Sequence, residues 1–325
     1  MRTHAIRIAK TGGPEVLSWE EVEVSEPGQG QVLLRQTAVG LNYIDTYHRS
    51  GLYKVEMPSG LGVEGAGVVE KIGAGVSGLK VGDRVAYSSG PLGAYSRHRL
   101  FPADRLVKLP AAISDQQAAA MMLQGMTVEY LIRRTFTVKA GMTVLLHAAA
   151  GGVGLIASQW LKHLGATVIG TAGGPEKLAL AQKNGCAHVI DYRKEDVAKR
   201  VREITGGKGV PVVYDGVGKD TFQASLDSLA VRGMFVSFGN ASGPVPAFEP
   251  IVLSTKGSLY FTRPTLFNYT ITREELLESA NALFDVVAKG AVKIAVNQSY
   301  PLKDAAQAHR DLQARKTTGS TVLIP

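Results

Sequence analysis

The residues with the clearest chemical potential are the glycines of "HAAAGGVGLIASQWLKHLG", where Gly151, Gly152 and Gly154 fall between an apolar run starting at Thr143 and a helical pattern. At such a strand-to-helix turn Gly151 lets the backbone approach a pyrophosphate, and Gly154 lets the helix pack close to the strand. Unpaired amides and the helix dipole then face the anion. Ala149 stands where the usual first glycine would be. A glycine-rich string alone is a weak signal; its weight comes from the strand before it, the helix after it and the further alternating strands. The next informative place is the end of the second strand, where NAD sites carry an acid for the ribose diol. Here it reads "GTAGGPEKLA", with no carboxylate from Thr171 to Gly174 and with Lys177 placed to neutralise a 2′-phosphate. This predicts NADPH rather than NADH. The alternative, that Lys177 merely solvates a helix start, sets a lysine against the helix dipole with no anion present.

A second segment, "LNYIDTYHRSGLY", gathers Asn42, Tyr43, Tyr47 and Tyr53 but offers no evident His–carboxylate or Cys–His pair. Asn42 could tie a turn together, and the tyrosines could be core aromatics. Their clustering favours a flat-ring platform, with catalysis resting on placement of two rings rather than on a titrating acid–base pair. His48 and His98 have no metal-ligand partners nearby. The single cysteine, Cys186, rules out an intrachain disulfide and a multi-thiolate zinc site, so no metal is expected. Without a Lewis acid the substrate must already accept hydride well, which points to quinones or to double bonds conjugated with a carbonyl.

The elements that must position these residues follow from pattern. From about Thr143 to Phe261, six candidate strands alternate with helices: "TVLLH" at Thr143, "TVIGT" at Thr167, "HVIDY" at His188, "VPVVYD" at Val210, "MFVSFG" at Met234 and "SLYFT" at Ser258. That alternation is the mark of a parallel sheet with crossover helices. Gly185 and Gly233 are placed as C-terminal caps of two of those helices. The first hundred or so residues, broken repeatedly by Gly and Pro, read as an irregular all-β domain. After Thr262 the pattern turns helical, with Thr272 and Glu275 forming a capping box, and the closing "STVLIP" reads as a strand that returns to the N-terminal domain.

A chain of 325 residues exceeds the usual size of a single core, so two domains are expected. Hydrophobic residues at 45% and charged residues at 20% indicate a folded protein rather than a disordered one. No apolar run reaches membrane-span length, and no signal peptide precedes residue 10, so the cytoplasm is the expected location. The 36 Lys and Arg against 28 Asp and Glu favour anionic ligands. Those basic residues are scattered among acids, as in "YRKEDVAKRVRE", which reads as a solvated helix face, so no nucleic-acid groove is expected.

The chain resembles, along its whole length, the quinone oxidoreductase (zeta-crystallin-like) branch of the zinc-free medium-chain dehydrogenase/reductase superfamily. "GMTVLLHAAAGGVGLIASQWLK" carries the family signature, with Gln159 and Lys162 at the expected spacing; "GPEVL", "GLNYIDTYHRSGLY", "GVEGAGVVEKIGAGV", "VGDRV", "VYDGVG" and "FGNASG" also look like family motifs. The zinc-dependent relatives carry a ligand cysteine in the segment that here reads "LNYIDTY".

The resemblance implies an α/β fold with a discontinuous GroES-like irregular β domain (residues 1–124), a doubly wound Rossmann domain with a six-stranded parallel sheet (125–261) and a C-terminal return to the catalytic domain (262–325). It also implies a homodimer through the Rossmann sheets. Asn42 and Asp45, with Tyr47 and Tyr53, would line the nicotinamide and substrate cleft, and Thr127 would touch the cofactor. Gly152 and Val153 would hold the pyrophosphate; Gly173, Lys177, Tyr192 and Arg315 would meet the adenosine and its 2′-phosphate. Phe238, Gly239, Ser242, Phe261 and Arg263 would flank the ribose and nicotinamide. One departure is Gly216, where close relatives can have serine; backbone contacts from Gly216 and Val217 remain. The expected activity is NADPH:quinone reduction, with two alternatives kept open: an NADPH-dependent alkenal or enone reductase, and an additional RNA-binding or structural role.

Overall fold

A computed structural model describes residues 1–325, which form two units: Met1–Gln124 with Thr270–Phe284 and Ile294–Pro325, and Gly125–Tyr269 with Asp285–Lys293.

The first unit is built on the long strand Gln31–Leu41, whose pairing shifts register between Gln36 and Ala38, so that Val32 and Leu34 before the shift and Val39 and Leu41 after it all join a core with Ile6, Ile8, Val69, Val85, Phe101 and Leu323. It pairs antiparallel with Gly65–Ile72, His98–Pro102 and Ser320–Ile324 within a seven-stranded sheet; a separate three-stranded sheet is centred on Arg2–Ile8. The terminal strand does return as the sequence predicts, Val322 facing Gly40 and Leu323 facing Val39. Gly40 is required here: a Cβ on it would lie 2.2 Å from the Ala119 carbonyl oxygen and 2.3 Å from Glu64 Oε2.

In the second unit the six predicted strands are all present, as Thr143–Leu146, Thr167–Ala172, Cys186–Asp191, Val210–Asp215, Leu229–Ser237 and Tyr260–Thr262. Numbered in that order they lie 3-2-1-4-5-6 and every neighbouring pair is parallel, the doubly wound arrangement whose ligands bind beyond the strands' carboxyl ends. One predicted boundary differs. The helix placed up to Gly233 ends at Ser228, and the fifth strand begins at Leu229. Val210 pairs with Leu229 and Val212 with Met234, so the residues between them loop out of the ladder. Arg232, at φ +62, takes the left-handed conformation expected of Gly233, and Val231 is left exposed. Gly185, at φ +119, does follow the helix Pro175–Lys183. The Thr272–Glu275 capping box forms as expected: the Thr272 amide donates to Glu275 Oε2 at 3.1 Å and the Glu275 amide to Thr272 Oγ1 at 3.2 Å.

Candidate functional site

In the second unit the first strand ends at Leu146, turns through Ala148 at φ +54, an uncommon conformation for alanine, and enters the helix Gly152–His163 at Gly151. Gly154 sits against that turn: a Cβ on it would be 2.3 Å from the Ala148 carbonyl oxygen and 2.7 Å from Ala149 backbone atoms. Gly151 differs, since its Cβ would meet only the Ala148 oxygen at 3.3 Å. No side chain caps this helix and no acid occupies its first turn, so the amides of Gly152 and Val153 remain for an anion.

Beneath the turn, Thr171, expected among the cofactor contacts, is buried and hydrogen-bonded within the protein. Its hydroxyl lies 3.0 Å from His147 Nδ1, while His147 Nε2 lies 3.1 Å from Ser225 Oγ and Ser225 donates to Asp215 Oδ2 at 2.7 Å. Burial holds the His147 pKa below its ordinary value, keeping it neutral in this chain of buried groups. Asp215 Oδ1 accepts the amides of Val217 and Gly218, fixing the loop after the fourth strand.

The helix Pro175–Lys183 also starts without a capping side chain, at Gly174 with φ +91, and carries Lys177 in its first turn. A Cβ on Gly173 would lie 2.7 Å from both Tyr192 Oη and Arg193 Nε, and one on Gly174 would lie 3.4 Å from Arg193 Nη1. The bare glycines therefore leave room for Tyr192 and for an exposed guanidinium beside a helix N-terminus, an anion-binding combination. Arg193 was missed in the sequence because it sits in the charged run read as a solvated face. Its main-chain amide is tied to Asp191 Oδ1 at 3.1 Å, which aims it.

At the far side of the sheet, Gly216 and Gly239 touch: a Cβ on Gly239 would lie 2.4 Å from the Gly216 oxygen, and one on Gly216 2.9 Å from the Phe238 ring. A serine at 216 would meet that ring unless the Phe238 side chain shifted. Ser242 is held by its own loop, its hydroxyl donating to the Val217 carbonyl at 2.9 Å and accepting the Asp220 amide at 3.0 Å. The Phe261 ring packs on Phe235 and Phe248, each at 5.2 Å, leaving its backbone as what it can offer a ligand. Arg263 is exposed, donating to the Pro264 carbonyl at 3.2 Å, and Thr127 lies half-buried on the helix Met122–Tyr130.

In the first unit Asn42 caps the helix Tyr43–Ser50 in extended conformation, and both ends of its carboxamide are held. Nδ2 donates to Glu64 Oε2 at 2.6 Å and Oδ1 accepts from Gln124 Nε2 at 3.1 Å. Ser320 in turn donates to Gln124 Oε1 at 2.7 Å. Asp45 accepts the Asn42 amide at 2.9 Å and the Tyr95 hydroxyl at 2.8 Å, both on Oδ2. Asp45 and Glu64 are fully buried, and burial pushes their carboxyls up to about 7 and about 8. The sequence names Asp45 for the cleft without a His–carboxylate or Cys–His pair; Glu64, a second buried carboxyl beside it, is not among the residues it names. Glu64 stood in plain view in "GVEGAG", an acid flanked by glycines and apolar residues.

The tyrosines do cluster, but not as a flat platform. Tyr47 meets Tyr53 at 66° and Tyr43 at 37°, and Tyr47 is buried. Arg315 lies in the first unit, at φ +58 just past the helix Ala305–Gln313. No group of three or more His, Cys, Asp or Glu side chains is arranged to hold a metal ion.

Two family models match: the alcohol dehydrogenase GroES-like domain over residues 28–111 and the zinc-binding dehydrogenase over residues 152–289. The chain is 54% identical to a quinone oxidoreductase of Pseudomonas aeruginosa, over 98% of this chain and 99% of that one. It is 50% identical to a 2-haloacrylate reductase of a Burkholderia species, covering 98% of each. A crystal structure of Escherichia coli quinone oxidoreductase complexed with NADPH superposes with a TM-score of 0.98 at 52% identity, covering 99% of this chain and all of the other. With these matches running end to end, and with the glycine cradle and 3-2-1-4-5-6 sheet in place, the chain belongs to the quinone oxidoreductase family of the zinc-free medium-chain dehydrogenases/reductases.

Proposed function

We propose that the protein is an NADPH:quinone oxidoreductase that works without zinc. The observation that carries the cofactor is the acid-free end of the second strand, where Gly173 and Gly174 make room for Arg193 and Tyr192 beside the uncapped helix that bears Lys177. Gly151, Gly152, Val153 and Gly154 would hold the pyrophosphate; Lys177, Tyr192 and Arg193, with Arg315, would hold the 2′-phosphate. Thr127, Gly216, Val217, Phe238, Gly239, Ser242, Phe261 and Arg263 would bound the ribose and nicotinamide. When bound, NADPH supplies the hydride. Asn42, Asp45, Tyr47 and Tyr53 would place the acceptor, the locked carboxamide of Asn42 giving a fixed polar reference.

The quinone as acceptor is supported by relatives named for it at up to 54% identity and by a donor set unsuited to zinc, which leaves no Lewis acid to activate a plain ketone. The relative named 2-haloacrylate reductase favours a second reading, reduction of an electron-poor carbon–carbon double bond. A homodimer through the second unit is supported by the edge strand Tyr260–Thr262, which pairs on one side only and exposes Tyr260. No helix is long and apolar enough to cross a membrane, and the lone buried thiol of Cys186 suits a reducing cytoplasm.

The test is a panel of quinones and enones assayed with NADPH and with NADH. Quinone turnover driven by NADPH is expected; turnover with enones alone would replace this reading with the second one.

A further inference from the structure

The Asp45 carboxyl has one oxygen that accepts twice and one, Oδ1, that is buried without a hydrogen-bond partner. Buried polar atoms are mostly satisfied, and of the eight buried side-chain nitrogens and oxygens left without a partner Asp45 Oδ1 is the one carboxyl oxygen, which calls for a reason. The polarity of the surrounding bonds can be read from one end. Arg49 Nη1 lies 2.8 Å from His309 Nδ1, and a guanidinium can only donate, so Nδ1 is the acceptor and the imidazole hydrogen sits on Nε2. That hydrogen faces Tyr95 Oη at 3.0 Å, and Tyr95 sends its own hydrogen to Asp45 Oδ2. Arg49 is itself pinned, donating to the Gly12 carbonyl at 3.1 Å and to Gln313 Oε1 at 2.8 Å. All four residues are nearly or fully buried.

We propose that Arg49, His309 and Tyr95 are positioning residues whose one-way hydrogen-bond chain reserves Oδ2 of Asp45 as an acceptor and puts the acid proton on Oδ1, making Asp45 the proton donor to the reduced acceptor. This rests on the quinone-reduction reading above. An Oδ1–H that is buried with no partner in the resting protein is a donor that would gain its bond once the site opens to admit an acceptor oxygen. The quinone takes a hydride from NADPH, which leaves as NADP⁺, and becomes the hydroquinone monoanion. The Asp45 O–H bond breaks as the new O–H bond forms on that oxyanion, and the Asp45 carboxylate is reprotonated from water after product leaves. The chain cannot act as a proton wire beyond His309, because its far end is an arginine that keeps its protons.

The groups facing Asp45 agree. Burial raises its pKa to about 7, and the Tyr95 hydrogen bond lowers it in part. Glu64 is a second buried acid whose ionisation opposes that of Asp45. His309 is held neutral, its pKa pushed down to about 3 by burial and by the Arg49 charge.

The test joins a binding-independent readout to a kinetic one. In ligand-free protein with ¹³C-labelled aspartate, the Asp45 carboxyl resonance should stay in its protonated position up to near-neutral pH. In Tyr95→Phe the midpoint should move to higher pH, because a donor to the carboxylate is gone. The alkaline limb of kcat with a quinone should move with it, whereas a merely structural loss would lower kcat at every pH with the limb unmoved. Asp45→Asn should lower kcat by about 100-fold and erase that limb while NADPH binding persists. An Asp45 already ionised in mildly acidic solution, or an Asn variant with wild-type turnover, would overturn the proposal. Absence of quinone turnover in the wild type would instead sink the functional reading and the donor role, leaving the resonance to decide the polarity of the chain.

Discussion

At the scale of single residues, the proposed discrimination between the two nicotinamide cofactors would rest on a few charges. Lys177 in the first turn of its helix and Arg193 beside Gly173 and Gly174 would meet a 2′-phosphate through charge-assisted bonds of about 1.5 to 3 kcal/mol each. Lys177→Ala and Arg193→Ala should therefore each weaken NADPH about tenfold or more while leaving NADH untouched, as read by fluorescence titration. Equal losses for both cofactors would remove these residues from the phosphate site. The buried acids make a separate statement about stability. Glu64 and Asp45 have folded pKa values raised to about 8 and about 7, so the folded chain holds more protons than the unfolded one across the range between their unfolded and folded values. Their contribution is present in full below about pH 4 and is lost as pH rises through about 7 to 8. Denaturant unfolding of the wild type should show stability falling over that window. Glu64→Gln should be the less stable protein in acid, having one acceptor fewer for Asn42 and Leu123, and the gap should narrow in alkali. A gap constant with pH would contradict the raised value.

At the scale of elements, the strand-turn-helix at Ala148 to Gly154 separates two uses of glycine. Gly154→Ala forces a Cβ to 2.3 Å from the Ala148 oxygen and should lower both Tm and NADPH affinity. Gly151→Ala, with a single contact at 3.3 Å, should leave Tm near the wild-type value and weaken NADPH alone. Identical effects of the two would show that the turn has no such division of labour. The exposed edge strand carries its own prediction from the proposed dimer: by light scattering the wild type should have the mass of two chains and Tyr260→Glu the mass of one, and a dimeric Tyr260→Glu would exclude that edge as the interface. These elements were legible in the sequence because each is a local pattern. The six strands, the cradle and the Thr272 capping box all come from residues near one another in the chain. The Ser228 boundary was not legible, because a left-handed Arg232 replaced the glycine that the cap rule expects. Nor was the polar chain in the first unit, since Asp45, Tyr95 and His309 are brought together from three distant segments. Arg193 was hidden by its charged neighbours, and only the bare backbone of Gly173 reveals where it goes.

At the scale of the whole molecule, a complete doubly wound sheet with no acid at the end of its second strand is joined in one chain to a β unit in which two buried carboxyls bond to Asn42. The chemistry proposed for it draws on the nicotinamide, on placement and on those acids. The most direct test of this account is the oxidation of reduced nicotinamide by a simple benzoquinone, followed in the presence of a strong chelator, with NADPH and NADH compared by kcat/KM. The account predicts stoichiometric hydroquinone formation that the chelator does not touch, with NADPH preferred about tenfold or more. Loss of turnover in chelator with recovery on adding zinc, or equal kcat/KM for the two cofactors, would contradict it.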